Sequence, residues 1–280
     1  MHCLHLFFLL TTTVFGIKDV EKKPVGTGPV AFPPSEKVIF HKLGDRTISI
    51  KVTQYGEVIN NCCINLHDDE MTAMKAARSV MEEQGGLLIK IENDSKRNIS
   101  FPFKGAVYTF DPNRIFSRKG ILLTLKANRK INPLAVIEVE KFAAHLLRFI
   151  PDSISCLIAL HNNTDGDFSV RTYLPGGLRQ NDARQVYADM WQDIDDIALT
   201  TDHLIYNKMA GFGYNSILQD NVNVFKDGSL SVYCGERNRR YINIETQHGR
   251  TSQYKEMLKK LLYILDEEKR SSANLVVNTD

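Results

Sequence analysis

Two periodicities divide the chain. Apolar residues at every second position mark strands, and apolar residues three or four apart mark helices. Val38–Phe40 and Thr47–Gln54 alternate around Gly44-Asp45, which predicts a hairpin. Cys62 to Leu66 reads as a short buried strand. Met71 to Gln84 carries Met74, Ala77, Val80 and Met81 at helical spacing, and Gly85-Gly86 ends it. Leu87 to Ile91 is the next strand, and Asn93 to Ser100 a polar loop. Ala106 to Phe110 leads as a strand into Asp111-Pro112-Asn113-Arg114-Ile115-Phe116.

The second half follows the same rhythm. Pro133 opens a helix to Ile150, with Val136, Val139, Phe142, Ala143, Leu146 and Leu147 on one side. Ser155 to Leu160 is an apolar strand ending at His161, and Asn162 to Gly177 a surface loop rich in Asn, Asp and Gly. The pattern predicts helices over Asp182–Met190 and His203–Met209. It predicts strands over Tyr214–Gln219, Leu230–Cys234 and Tyr241–Glu245, with a turn at Asp227-Gly228. Ser252 to Glu267 is the last helix, and 270–280 a disordered tail. Alternating strands and helices imply an α/β fold: one domain over 37–269, with a mixed, mostly parallel central sheet, antiparallel edges and flanking helices.

Composition narrows the class. The chain has 280 residues, 43% hydrophobic and 24% charged, enough for a sizeable core. A formal net charge of +2 argues against a nucleic-acid partner. The basic cluster Arg237, Arg239 and Arg240 fits a solvated hairpin tip. Residues 1–16 read as a signal peptide: Leu4 to Phe15 is largely apolar but too short for a bilayer, and Val14 and Gly16 suit a cleavage site. That address is periplasmic or secreted, with no membrane span. Residues 17–36, with Lys22-Lys23-Pro24 and Pro33-Pro34, read as an extended leader. Cys62, Cys63, Cys156 and Cys234 remain beyond the signal, either as buried thiols or as bridges. Cys62 and Cys63 are neighbours on one strand and point to opposite faces.

Two histidines end strands, His67 after Cys62–Leu66 and His161 after Ser155–Leu160. In an α/β sheet the carboxyl ends of strands gather functional groups. Glu70 follows His67 by three residues, within reach of one ion. A hydrolytic zinc needs three such ligands, an open position for water and a nearby carboxylate base. A lone His-x-x-Glu is common by chance, and its bland reading is a surface carboxylate beside a core histidine.

The order His67-x-x-Glu70, Asp111-x-Asn113-Arg114-x-Phe116, Leu160-His161 and a late Glu245 resembles the zinc carboxypeptidase superfamily. The nearest branch is the succinylglutamate desuccinylase and aspartoacylase type, whose Asp-Leu-Asn-Arg-x-Phe run is similar to residues 111–116. The resemblance spans about residues 38 to 265, through four short motifs. It implies one zinc per chain on His67, Glu70 and His161, with Glu245 as general base and then acid. It implies that Asn113 and Arg114 hold a substrate carboxylate, Arg114 through its planar fork. The substrate is then a peptide or N-acyl amino acid, and the reaction hydrolysis of the amide bond beside the carboxylate.

The sequence departs from the family at several points. His161 lies between Leu160 and Asn162, where the family has Asp before and Thr or Ser after. Asp68-Asp69 replaces a common glycine; these acids either fix the other nitrogen of His67 or face water. Glu245 sits in Asn243-Ile244-Glu245-Thr246-Gln247-His248, which does not align closely with the family's base motif; an exposed strand-end carboxylate competes with the base, and His248 is either a proton shuttle or a loop residue. Arg97 and Lys104 are candidates to polarise the carbonyl. Tyr173 and Tyr241 either touch substrate or pack. His41, His145 and His203 read as structural or surface residues. Two competing functions stand beside the hydrolase: a non-catalytic metal- or carboxylate-binding protein on the same fold, and an amidohydrolase of the N-formylglutamate deformylase kind.

Overall fold

The computed structural model describes residues 32–128, 131–166, 168–189 and 191–277. The expected signal peptide and most of the expected leader lie outside these residues. The sheet begins with a hairpin of β1 (Pro34–Leu43) and β2 (Arg46–Tyr55), so the last residues assigned to the leader are strand. Gly44 turns the hairpin at φ +56°, and a Cβ there would stand 2.4 Å from the Pro102 carbonyl. Next come β3 (Asn61–Asn65), α1 (Met71–Gln84) and β4 (Gly86–Glu92). Helix α1 stops where predicted, with Gly85 at φ +77° donating to the Met81 carbonyl.

A small hairpin, β5 (Ile99–Phe103) and β6 (Ala106–Phe110), stands apart from the main sheet. Helices α2 (Arg118–Ala127) and α3 (Pro133–Leu147) follow. The chain continues through β7 (Cys156–Asn163), β8 (Ala183–Tyr187), β9 (Ile197–Thr200), α4 (His203–Gly211) and β10 (Asn215–Gln219). It ends with α5 (Leu230–Glu236), β11 (Tyr241–Gln247) and α6 (Thr251–Val277). Helix α6 runs past the expected fraying point at 270.

The nine strands of the main sheet pair in the order β1-β2-β4-β3-β7-β11-β9-β10-β8. The centre, β4-β3-β7-β11, is parallel; β1, β2 and β8 form antiparallel edges, and β9 turns antiparallel against β11. This is the mixed α/β architecture the periodicities predict. Side-chain alternation sorts the core into two layers. Cys63, Ile158, Leu160, Ile242 and Ile244 pack on one face with α1, α4 and α6. Cys62, Ile64, Leu157, Ala159 and Tyr241 pack on the other with α2, α3, α5 and the small hairpin. The four cysteines are buried and free, Cys62 and Cys63 on opposite faces. Among the described residues no helix is long and apolar enough to cross a membrane.

Two predicted elements change type. Leu230–Cys234 is the helix α5, because Ser229 caps it by accepting from the Val232 amide; a short apolar run does not choose between strand and helix by itself. Ala183–Tyr187, within the predicted helix 182–190, is an edge strand pairing with β10 (Val186 opposite Ile217). There the open sheet edge outweighs weak helical propensity. Three elements were not foreseen: β5, whose first residues fall in the predicted loop 93–100, α2, capped by Ser117, and the short buried strand β9.

Candidate metal centre

The parallel centre of the sheet ends on one side in a buried cluster. Strand β3 stops at Asn65, and one turn carries the chain from His67 to the start of α1, closed by the Glu70 amide donating to the His67 carbonyl at 3.2 Å. That turn sets His67 Nδ1 2.9 Å from Glu70 Oε1. Strand β7 pairs with β3 and brings in His161, whose Nδ1 lies 3.0 Å from Glu70 Oε2 and 3.2 Å from His67 Nδ1. All three residues are buried, and one donor atom from each lies within 4.8 Å of the others. The three residues singled out in the sequence thus meet at one point.

The residues around the cluster orient it. His67 Nε2 donates to Asp111 Oδ1 at 2.8 Å, and Nδ1 faces Glu70 and His161. The partner of this ring nitrogen is therefore Asp111, not Asp68 or Asp69. Burial raises the pKa of Glu70, but the imidazoles of His161 and His67 outweigh it and hold the carboxyl well below its usual range. Burial disfavours a charged His67, yet Glu70 and Asp111 overcome this and raise it to about 9. The carboxylates of Glu70 and Asp111 thus favour positive charge at this point. Two imidazole nitrogens and a carboxylate are a donor set suited to zinc, so the residues present fit such an ion.

Strand β11 brings Glu245 beside the cluster, with Glu245 the Cα partner of His161. Its Oε1 accepts from Asn243 Nδ2 at 2.8 Å. Burial pushes its pKa up, against the pull of His161 and the Asn243 hydrogen bond. Glu245 is half-buried, lines the pocket and lies within β11, which runs on to Gln247, so an exposed strand end is not its setting. The Asp111–Phe116 segment forms a tight turn: Asp111 Oδ1 accepts from the Asn113 amide at 2.7 Å, and Arg114 Nη1 donates to the Asn113 carbonyl at 2.7 Å. Asn113 Oδ1 accepts from the Leu230 amide, which ties this turn to α5. Asn113 Nδ2 stands 3.5 Å from His161 Nε2.

These groups face an open pocket of about 420 Å³, lined by Arg97, Asn113, Arg114, His161, Glu245 and His248 among others. Arg97 Nη1 donates to Glu70 Oε1 at 2.7 Å, so Arg97 is the candidate that reaches the centre. Lys104 sits at the β5–β6 turn against Phe103 and does not line the pocket. Tyr173 and Tyr241 both line it while being largely buried. His41 and His145 pair with each other at 2.9 Å, and His203 meets Asn207 on the surface. Sequence reasoning missed Arg179 and Asp227. Asp227 Oδ2 lies 3.6 Å from both Arg114 Nε and Arg179 Nη1 on the pocket wall. No local motif marks Arg179; only the folded loop brings it there.

No protein-family model matches the chain, and no curated protein matches it. Among solved structures it is similar to an aspartoacylase family protein from Mesorhizobium loti, at 13% identity over 83% of this chain and 67% of that one, with TM-score 0.45. It is similar to a Shewanella amazonensis protein of the succinylglutamate desuccinylase/aspartoacylase family, at 10% identity over 83% and 72%, with TM-score 0.40. A third is thrombin activatable fibrinolysis inhibitor, at 12% identity over 82% and 69%, with TM-score 0.45.

Proposed function

We propose that this chain is a zinc-dependent hydrolase of an amide or peptide bond next to a carboxylate, of the carboxypeptidase or N-acyl amino acid deacylase type. The convergence of His67, Glu70 and His161 beside Glu245, at one pocket that Asn113 and Arg114 also line, carries the reading. His67, Glu70 and His161 would hold one zinc. When bound there, zinc supplies Lewis acidity toward a carbonyl and lowers the pKa of water.

The chain's own residues supply the rest. Arg114 and Asn113 hold the substrate carboxylate and so fix the scissile bond against the centre. Arg97, at the edge of the cluster, donates to the carbonyl oxygen as negative charge develops on it. Glu245 takes the proton of the attacking water and delivers it to the leaving nitrogen as the C–N bond breaks. Its burial suits this role, because a raised pKa lets the same carboxyl accept and then release a proton. The apolar stretch Leu4–Phe15 supports an exported address, periplasmic or secreted.

One preparation tests the reading. Purified protein should contain about one zinc per chain and hydrolyse members of a panel of N-acyl amino acids and peptides. His67→Ala should lose metal and activity together. A zinc-loaded chain that binds the panel without turning any member over would instead be the non-catalytic binding protein. A chain with no metal affinity would sink both.

A further inference from the structure

Asp68 sits between two of the proposed zinc ligands, yet its carboxylate turns away from them. It is buried, with Lys90 Nζ of β4 2.5 Å from Oδ1. Oδ2 accepts from the backbone amides of Asn93 at 2.6 Å and Ser95 at 2.9 Å. Those amides open the segment 93–98, which carries Arg97. Asp94 and Ser95 both take left-handed conformations, at φ +53° and +54°, unfavourable for residues with side chains. Asn93 closes the far end by donating to the Lys96 and Asn98 carbonyls. Arg97 then reaches Glu70.

We propose that Asp68 is a positioning residue: it clamps the segment 93–98 to the turn of the metal ligands and so sets where the Arg97 guanidinium stands over the centre. The backbone of 93–95 does not favour this path unaided, and the carboxylate satisfies two of its amides at once. Stability alone is a weak reason for the arrangement, because a buried ion pair rarely outperforms apolar packing of the same volume. Position is the stronger one. Asp68 ties the turn 67–70 to the backbone of the segment that carries Arg97, and the Arg97 side chain then meets Glu70 directly. The inference rests on the hydrolase reading, in which Arg97 acts on the carbonyl oxygen.

The test is a double-mutant cycle between Asp68 and Arg97 on the zinc-loaded enzyme. Asp68→Ala should lower kcat by about tenfold or more, with KM little changed and zinc retained, as loss of an oriented donor does. In the Arg97→Ala background the same change should cost nothing further, because Asp68 acts through Arg97. Asp68→Asn, whose one amide oxygen can take the place of Oδ2 and accept from both backbone amides, should keep most of the turnover. Asp68→Ala combined with Lys90→Met leaves no buried charge alone and serves where the single variant fails to fold. Equal losses in both backgrounds, full activity of Asp68→Ala, or loss of zinc would each overturn the proposal. If the wild-type chain hydrolyses nothing, the hydrolase reading fails by itself. The clamp is then decided on metal-free protein by the rate at which a dicarbonyl reagent modifies Arg97. Asp68→Ala should speed that modification while leaving Arg118 unaffected; an unchanged rate at Arg97 rejects the clamp.

Discussion

Glu245 and His161 are partners across the parallel pairing of β11 with β7, so their side chains leave neighbouring strands on the same face. The sheet itself, not a loop, sets the spacing between the proposed base and the third proposed ligand. A change confined to the Glu245 carboxyl should therefore leave the ligand geometry intact. Glu245→Gln should keep about one zinc per chain and lose roughly 10²- to 10⁴-fold in kcat. Metal content by elemental analysis and kcat on the same sample check this. Loss of zinc with the activity would reassign Glu245 to the ligand set.

The pH profile should carry the same residue's signature. Burial raises the pKa of Glu245, while His161 and the hydrogen bond from Asn243 pull it down. A base works only when deprotonated, so kcat/KM should fall as pH drops through a value above the ordinary carboxylate range. Asn243→Leu removes a hydrogen bond to the charged form, which raises the pKa further. The acid limb should move to higher pH in that variant. A limb that stays put would point to another group.

The chain's pattern made the layers legible, and it made the centre legible through the ends of strands. His67 and His161 stood out because each follows an apolar run, and parallel pairing of β3 with β7 brings such ends together. Asp111-Pro112-Asn113-Arg114 stood out as a tight polar turn before Ile115 and Phe116. What stayed hidden depends on contacts far apart in sequence. Asp111 reads as a turn residue until folding sets it against His67, 44 positions away. Arg179 lies in a loop with no period, and its place on the pocket wall comes from its pairing with Asp182 and Asp227. The type of Leu230–Cys234 was decided by one capping serine, a local signal weaker than the apolar run it precedes.

Asp111 offers a prediction about affinity. It accepts from His67 Nε2 and from the Asn113 amide, so it fixes both the imidazole and the turn of Arg114. Asp111→Ala should weaken zinc binding by about 10- to 100-fold, the usual effect of removing a carboxylate behind a ligating histidine. Competition with a chromogenic chelator measures it. Because Asp111 also holds Asn113, KM should rise as well; unchanged affinity and KM would make Asp111 a bystander.

Arg114 tests how the substrate is held. Its Nη1 is anchored on the Asn113 carbonyl and its Nε faces Asp227, which fixes the plane of the guanidinium. Arg114→Lys keeps the charge and loses the fork. KM for a carboxylate substrate should rise by about tenfold, while a methyl ester or amide of the same substrate should show little difference between the two proteins. Equal effects on free and blocked substrates would remove Arg114 from carboxylate recognition.

Asp196 bears on stability rather than on chemistry. It is buried, and among the described residues neither carboxylate oxygen has a hydrogen-bond partner; the Arg250 guanidinium lies 3.4 Å from Oδ2. Burial, aided by Asp193 and Asp195 and opposed by Arg250, pushes its pKa up to about 6. The unfolded chain releases this proton near the ordinary value of 3.8. Between these values the folded state holds a proton that the unfolded state has lost, so stability falls as pH rises through the window. The penalty is complete above the folded pKa and absent below the unfolded one. Asp196→Asn cannot ionise and should escape it. Urea unfolding should show the variant more stable than wild type by roughly 1–3 kcal/mol at pH 7.5, and the gain should shrink toward pH 4.5. A gain that does not change with pH, or a loss at pH 7.5, would mean that Asp196 is ionised in the fold and satisfied by Arg250.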